Sequence, residues 1–201
     1  MSGSHGSRPG PADFENARLD LGCGTRKRSP EHIGIDRLEH RAVDVVGDVL
    51  DVLGEIPDGV VAEVYCSHFL EHVEDLDAVL AEMCRVTRPG GLLEIIVPHF
   101  SNPYFASDPT HRNTFGLYTF SYLTADAPLR RQVPNYGSTL PVQLERVALG
   151  FKSTPPFYGR HAFKKGVGLL VNSSRWAMEF YEENLAYLLP CYELEFSLRR
   201  L

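Results

Sequence analysis

Residues 18–37, Arg-Leu-Asp-Leu-Gly-Cys-Gly-Thr-Arg-Lys-Arg-Ser-Pro-Glu-His-Ile-Gly-Ile-Asp-Arg, decide the fold. Leu19 and Leu21 lead into Gly22-Cys23-Gly24, and a second apolar run, Ile33 to Ile35, ends on Asp36. The pattern reads as a strand, a tight glycine turn, a brief connection, a second strand and an acid at its tip. Glycine has no Cβ, so the backbone of the turn can approach a ligand closely. A carboxylate at the tip of the next strand can accept hydrogen bonds from two ribose hydroxyls, and Asp36 follows the glycines at the interval this needs. The third glycine of the dinucleotide fingerprint is missing, with Arg26 or Arg28 near its place. That predicts a nucleoside pocket without a pyrophosphate cradle.

Outward from this stretch, strands and helices alternate. Val43 to Val46 reads as a third short strand, with Asp48 at its end on the same sheet edge as Asp36. Asp48 can cap a helix over residues 49–53. Val60 to Cys66 reads as a buried strand. Asp75 to Arg88 is the best helix: Leu76, Val79, Leu80 and Met83 form one apolar stripe, and Pro89-Gly90-Gly91 stops it. Leu92 to Val97 is a strand closed by Pro98. Such alternation demands a parallel sheet with right-handed crossovers, and the short connection after Gly24 leaves room only for a reduced helix.

Composition bounds the rest. The 201 residues suit one domain with a full core, and residues 13–201 are read as that domain. Residues 1–12 are rich in Gly, Ser and Pro and are read as a disordered segment or a tag. The net charge of −6 disfavours a nucleic-acid partner. Cys23, Cys66, Cys84 and Cys191 are too scattered for a disulfide framework or a metal knuckle, which points to a reducing cytoplasm. No signal peptide or membrane span is visible.

Leu19-Asp20-Leu21-Gly22-Cys23-Gly24 resembles motif I of the class I S-adenosylmethionine (SAM) methyltransferases, and Asp36 matches their ribose-binding acid. Leu70-Glu71-His72-Val73 resembles the family's segment after the fourth strand. Arg85-Val86-Thr87-Arg88-Pro89-Gly90-Gly91 resembles the turn before the fifth. The resemblance implies an α/β fold: a three-layer Rossmann-like sheet, mostly parallel with an antiparallel C-terminal strand, and helices on both faces. It implies SAM as cofactor. Asp20, Gly22, Cys23 and Gly24 would form the turn and methionine end, Asp36 with Arg37 the ribose site, and Asp48 with Val49 the adenine site. Ser67 and His72 would lie beside the pocket.

His68-x-x-Glu71-His72 also fits an inverted zinc-protease pattern. That chemistry needs a long helix and a third ligand downstream. The stretch sits between a strand and the cap-like Glu74-Asp75, so this reading is set aside and no metal is expected.

Residues 99–141 read as a loop on the acceptor side, directly after a strand. It carries histidines, aromatics and an aspartate, a mixture that can exclude water and move a proton. His111 is the first choice for a catalytic base and His99 the second. Tyr104, Asp108 and Arg112 are the expected acceptor contacts. A metal triad of His99, Asp108 and His111 is conceivable, but nothing in the spacing forces it.

Val142 to Phe151 reads as a bulged strand, residues 151–168 as a basic loop, and Arg175 to Leu189 as a helix capped by Ser173 or Ser174. That helix could be core, cap the pocket or form a homodimer surface. Tyr192 to Leu198 alternates strictly and reads as a final antiparallel strand. Residues 152–190 are a second, helical insertion on the acceptor side. The expected activity is methyl transfer to oxygen or nitrogen of a small molecule, as in natural-product biosynthesis. Its rivals are other SAM chemistry, such as cyclisation or elimination, and a non-catalytic partner subunit.

Overall fold

The structure, a computed structural model, describes residues 9–125, 128–134 and 139–201. Residues 1–8 of the expected N-terminal tail lie outside the described residues. The four that follow are not featureless. Pro11–Phe14 forms a 3₁₀ turn, Gly10 N donates to Asp13 Oδ2 at 2.8 Å, and Phe14 is buried.

Seven strands form one sheet: β1 (Arg18–Leu21), β2 (His32–Asp36), β3 (Val45–Val46), β4 (Val61–Ser67), β5 (Thr87–Pro98), β6 (Val142–Gly150) and β7 (Glu193–Arg200). Their order is β3-β2-β1-β4-β5-β7-β6. Every neighbouring pair is parallel except those made by β7, which runs antiparallel to both β5 and β6. The mostly parallel sheet with an antiparallel C-terminal strand is the one expected. Sequence alternation translates directly into burial: Leu93, Ile95 and Val97 of β5 and Leu194, Phe196 and Leu198 of β7 enter the core. The bulge in β6 falls between Leu144 and Arg146.

Among the described residues four α-helices accompany the sheet: α1 (Val49–Gly54), α2 (Leu76–Val86), α3 (Tyr158–Val171) and α4 (Arg175–Asn184). α1 and α2 pack on each other. Asp48 caps α1 through Leu50 N, Asp75 caps α2 through Ala78 N, and Ser174 caps α4 through Ala177 N. Among the described residues no helix is long and apolar enough to cross a membrane.

Three elements differ from the sequence reading. The reduced helix expected after Gly24 is absent: β1 passes to β2 through turns, and β2 to β3 likewise. Residues 151–168, read as a loop, contain most of α3. Its glycines and missing cap argue against a helix locally, but tertiary contacts impose one. Lys164 Nζ donates to Pro190 O at 2.6 Å, and Gly168 lies so close to Phe151 that a Cβ there would stand 3.3 Å from the ring. α4 ends at Asn184, five residues before Leu189, because Tyr181 turns its hydroxyl to Leu189 O at 2.8 Å and the chain bends towards β7.

Arg85 joins the helical layer together. Its guanidinium donates to Leu53 O in the last turn of α1 and to Ile56 O just beyond it, at 2.7 and 2.8 Å, and to Glu82 of its own helix. It thereby ties α2 to the carbonyl end of α1. Charged hydrogen bonds are worth about 1.5–3 kcal/mol each at most, so Arg85→Ala should lower stability by about 2–3 kcal/mol in urea unfolding at unchanged m value. Arg85→Lys should recover less than half, since an ammonium cannot reach both carbonyls as a fork does.

Candidate functional site

The sheet's carboxyl edge carries two cavities. The first has a volume of about 600 Å³ and is walled by Gly22, Asp36, Arg37, Leu38, Asp48, Val49, Leu50, Phe69, His72 and Val79, among others. Both the size and the apolar walls with a few polar groups suit a small organic ligand.

The glycine turn is set by two positive φ angles, +65° at Gly22 and +54° at Gly24. A Cβ on Gly22 would stand 2.5 Å from the Phe69 ring, whereas one on Gly24 would meet nothing within 4 Å. Asp36 Oδ2 accepts Gly24 N at 2.9 Å and Oδ1 accepts Leu38 N at 2.9 Å. Each oxygen keeps a further lone pair for a ligand hydroxyl. Asp48 Oδ1 caps α1, and Oδ2 accepts Arg37 Nε at 2.9 Å. Arg37 and the α1 N–H groups together hold the Asp48 carboxyl below its ordinary range, although burial works the other way.

Of the expected cofactor residues, Gly22, Asp36, Arg37, Asp48, Val49 and His72 line this cavity; Asp20, Cys23, Gly24 and Ser67 do not. Asp20 is buried and accepts Arg28 N at 2.6 Å; burial raises its carboxyl above the ordinary range. Burial, then Asp20 and Asp36, pushes the Cys23 thiol up to about 12, so it has no nucleophilic character.

The second cavity, about 470 Å³, lies beyond the end of β5 and is lined by His68, Asn102, Tyr104, Phe105, Asp108, His111 and Tyr192, among others. Tyr104 and Asp108, two of the expected acceptor contacts, both line it. Arg112 is not on this wall: it is exposed and pairs with Glu74 at 3.1 Å, on the side of the first cavity. His111 donates Nδ1–H to Phe105 O at 2.9 Å, and its Nε2 lies 3.8 Å from Asp108 Oδ2. His99 lines neither cavity. It is fully buried, with Nδ1 2.8 Å from Ser101 Oγ and Nε2 2.8 Å from Glu182 Oε2, and Glu182 also accepts Leu117 N. Its partners make it a tie between α4 and the loop. The conceivable triad of His99, Asp108 and His111 is therefore not assembled.

The two cavities come together at His72, which lines the first, and His111, which lines the second; the neighbouring Glu71 is buried and lines neither. The His72 and His111 rings stand 4.8 Å apart, and one ligand atom from each of the three side chains lies within 4.8 Å of the others. His68 stands behind them with φ at +52°, a left-handed conformation that is uncommon outside glycine and concentrates at functional sites. In that pose its ring reaches Glu193 Oε2 at 3.2 Å and Glu71 Oε1 at 3.3 Å. These hydrogen bonds, that to Glu193 first, push the His68 pKa up to about 9. Burial works to raise the Glu193 carboxyl, but His68 and Lys152 hold it below its ordinary range.

Sequence reasoning missed Phe69, Glu71, Glu193 and Tyr192. The pattern His68-x-x-Glu71-His72 was the available signal for Glu71. The short 3₁₀ turn Leu70–His72, rather than a long helix, presents it.

Residues 19–95 match the family described as "Methyltransferase domain". No curated protein matches the chain. Solved structures do. A SAM-dependent methyltransferase from Archaeoglobus fulgidus has 17% identity and a TM-score of 0.54, with 93% of this chain and 88% of that one covered. Geranyl diphosphate C-methyltransferase from Streptomyces coelicolor A3(2), in complex with Mg²⁺, geranyl diphosphate and S-adenosyl-L-homocysteine, has 15% identity and a TM-score of 0.50 (98% and 75% covered). A putative methyltransferase of Haloferax volcanii, in complex with the Trm112 methyltransferase activator, has 14% identity and a TM-score of 0.51 (92% and 83% covered). The fold is that of the SAM-dependent methyltransferases, as the resemblance in motif I implies.

The glycine turn yields a paired expectation. Gly24→Ala should cost about 1–2 kcal/mol for the left-handed backbone alone. Gly22→Ala should cost about 1–3 kcal/mol more, from overlap with Phe69. Adding Phe69→Ala to the second should remove part of its overlap cost but not its backbone cost, as read by urea titration of the three variants.

Proposed function

We propose that this chain, a methyltransferase fold with a methyltransferase-domain match over residues 19–95, transfers a methyl group from SAM to oxygen or nitrogen of a small molecule. The observation that carries the reading is the pair of adjoining cavities, one walled by the glycine turn and Asp36, the other by the loop after β5.

When bound, SAM supplies a methyl group already activated on a sulfonium. The chain's own residues then bind and position. Asp36 has free lone pairs for the ribose hydroxyls, and Leu38, Leu50 and Val79 offer apolar contacts to adenine. Asp48, engaged by Arg37 and by the cap of α1, orders the wall there. Phe69 and His72 face the methionine end. Tyr104, Phe105 and Tyr192 would form the acceptor's aromatic walls and exclude water. His111 Nε2 is free to take the proton of an attacking hydroxyl or amine, and alignment of that atom with the methyl supplies most of the rate gain.

Residues 13–201 act as one domain in this reading, with 99–141 and 152–190 as acceptor-side insertions. The bonds between them, His99 to Glu182 and Tyr104 Oη to Thr154 Oγ1 at 3.0 Å, support a shared role. A small acceptor suits a cavity of about 470 Å³ and a net charge of −6. The stacked, exposed Trp176 and Phe180 supply apolar surface for the proposed homodimer, and sedimentation should give twice the chain mass.

The deciding measurement is thermal unfolding with SAM and with S-adenosylhomocysteine. A ligand at 100 times its Kd adds about 2.7 kcal/mol, a rise of roughly 5–10 °C for a domain near this size. Asp36→Asn should weaken binding by about 10–100-fold through its ribose bonds. On an acceptor found by screening phenols, carboxylates and amines, His111→Gln should lower kcat by about 10²–10⁴-fold and leave the ligand-induced shift intact. No rise with either ligand would point to a non-catalytic partner subunit.

A further inference from the structure

We propose that Glu71, His72 and His111 bind one divalent first-row transition-metal ion at the junction of the two cavities. This does not rest on the cofactor reading, because the three ligands can be loaded and measured without SAM.

The first observation is an orphan. The Glu71 side chain is 1% exposed, and its Oε2 is buried without a hydrogen-bond partner. Buried polar atoms almost always have partners, and a lone carboxylate oxygen asks for a cation or a proton donor. His68 stands on the other oxygen, Oε1, and cannot serve both.

The second observation is the state of the two rings. His111 Nδ1 faces the carbonyl of Phe105, which only accepts, so Nδ1 donates there and Nε2, 3.8 Å from Asp108 Oδ2, is the nitrogen left for a metal. His72 Nδ1 faces Thr110 Oγ1 at 2.9 Å, and that hydroxyl donates onward to Asp108 Oδ1 at 2.6 Å. Its proton is thus spent, Oγ1 accepts from His72 Nδ1–H, and Nε2 of His72, 3.9 Å from Glu71 Oε1, is likewise the nitrogen left for a metal. Two imidazoles and a carboxylate, each held from behind by a hydrogen bond, form the ligand arrangement metal sites use.

The spacing is close to what an ion requires. The three ligand atoms lie within 4.8 Å of one another, while ligands about 2.1 Å from a shared ion stand roughly 3–4 Å apart. A shift of about 1 Å closes the set, and His72, 37% exposed, has room to make it. Imidazole ligands favour Zn²⁺, Fe²⁺ or their neighbours over Mg²⁺ and Ca²⁺, which prefer all-oxygen sites.

Three protein ligands leave coordination open on the side of the acceptor cavity. With the ion present, Nε2 of His111 is a ligand. An acceptor hydroxyl or amine would then lose its proton to solvent through coordination rather than to the ring.

The test uses the full chain, stripped with chelator and titrated with Co²⁺ under visible spectroscopy, then loaded with Zn²⁺, desalted and assayed for metal. One equivalent of either metal per chain is expected, with none retained from Mg²⁺. His72→Ala and His111→Ala should each abolish retention while circular dichroism stays unchanged. Thr110→Val, which removes only the support behind His72, should weaken binding by about 10–100-fold. Glu71→Gln should also lose the metal; because Glu71 is buried, the two histidine variants decide the question if it fails to fold. Less than a fifth of an equivalent in the parent, or full retention in both histidine variants, overturns the site. A shift in melting with S-adenosylhomocysteine alongside such a failure leaves the cofactor reading standing, so the two claims fail separately.

Discussion

Three carboxylates do for the first half of the sheet what crossover helices do elsewhere. β1, β2 and β3 are parallel neighbours joined by connections without helices, so their turns must be pinned by something else. Asp20 accepts Arg28 N, Asp36 accepts Gly24 N, and Asp44 accepts Gly34 N at 2.8 Å while pairing with Lys27 Nζ at 2.6 Å. Each bond ties a loop to a strand, and each carboxylate trades solvation for charge-assisted hydrogen bonds. Of the three, Asp36 also lines the first cavity. The missing helices also leave that cavity open on one side, where Leu38 is 76% exposed.

Wherever period and capping govern, the sequence is legible. The α2 stripe, the alternation of β7 and the caps at Asp48, Asp75 and Ser174 are local features, and local features survive into the fold. The same holds for the glycine turn and Asp36. α3 is not legible, because Gly159, Gly166 and Gly168 lower its propensity and tertiary contacts, among them those with Phe151 and Pro190, hold it. The burial of His99 escapes a sequence reading for a related reason: its partner Glu182 is 83 residues away, and no local pattern announces a buried pair of that kind.

The junction of the cavities lies between these cases. His68, Glu71 and His72 are visible as a pattern, but the pattern suggests a helix. The chain instead places His68 in a left-handed conformation and turns Leu70–His72 into a single 3₁₀ turn. In that geometry His68 lines the second cavity and His72 the first. His111 arrives from a loop some forty residues on, positioned by Arg112 N and Asn113 N, which donate to Glu71 O at 2.7 and 3.2 Å. The backbone carbonyl of Glu71 thus fixes the loop that its own side chain faces.

Charge balance explains why this junction is built as it is. Glu71 and Glu193 are two nearly buried carboxylates, and His68 lies between them with Lys152 Nζ on Glu193 at 2.6 Å. Glu193 receives both cations and is satisfied. Glu71 meets His68 Nδ1 at 3.3 Å and His72 Nε2 at 3.9 Å, both on Oε1, while its Oε2 is buried without a hydrogen-bond partner. A structure needing Glu71 only as a strut could use a neutral side chain there and avoid the desolvation cost of the charge. The retained carboxylate, with one oxygen unsatisfied and ligand atoms of His72 and His111 within 4.8 Å of it, is the charge that the proposed cation would balance.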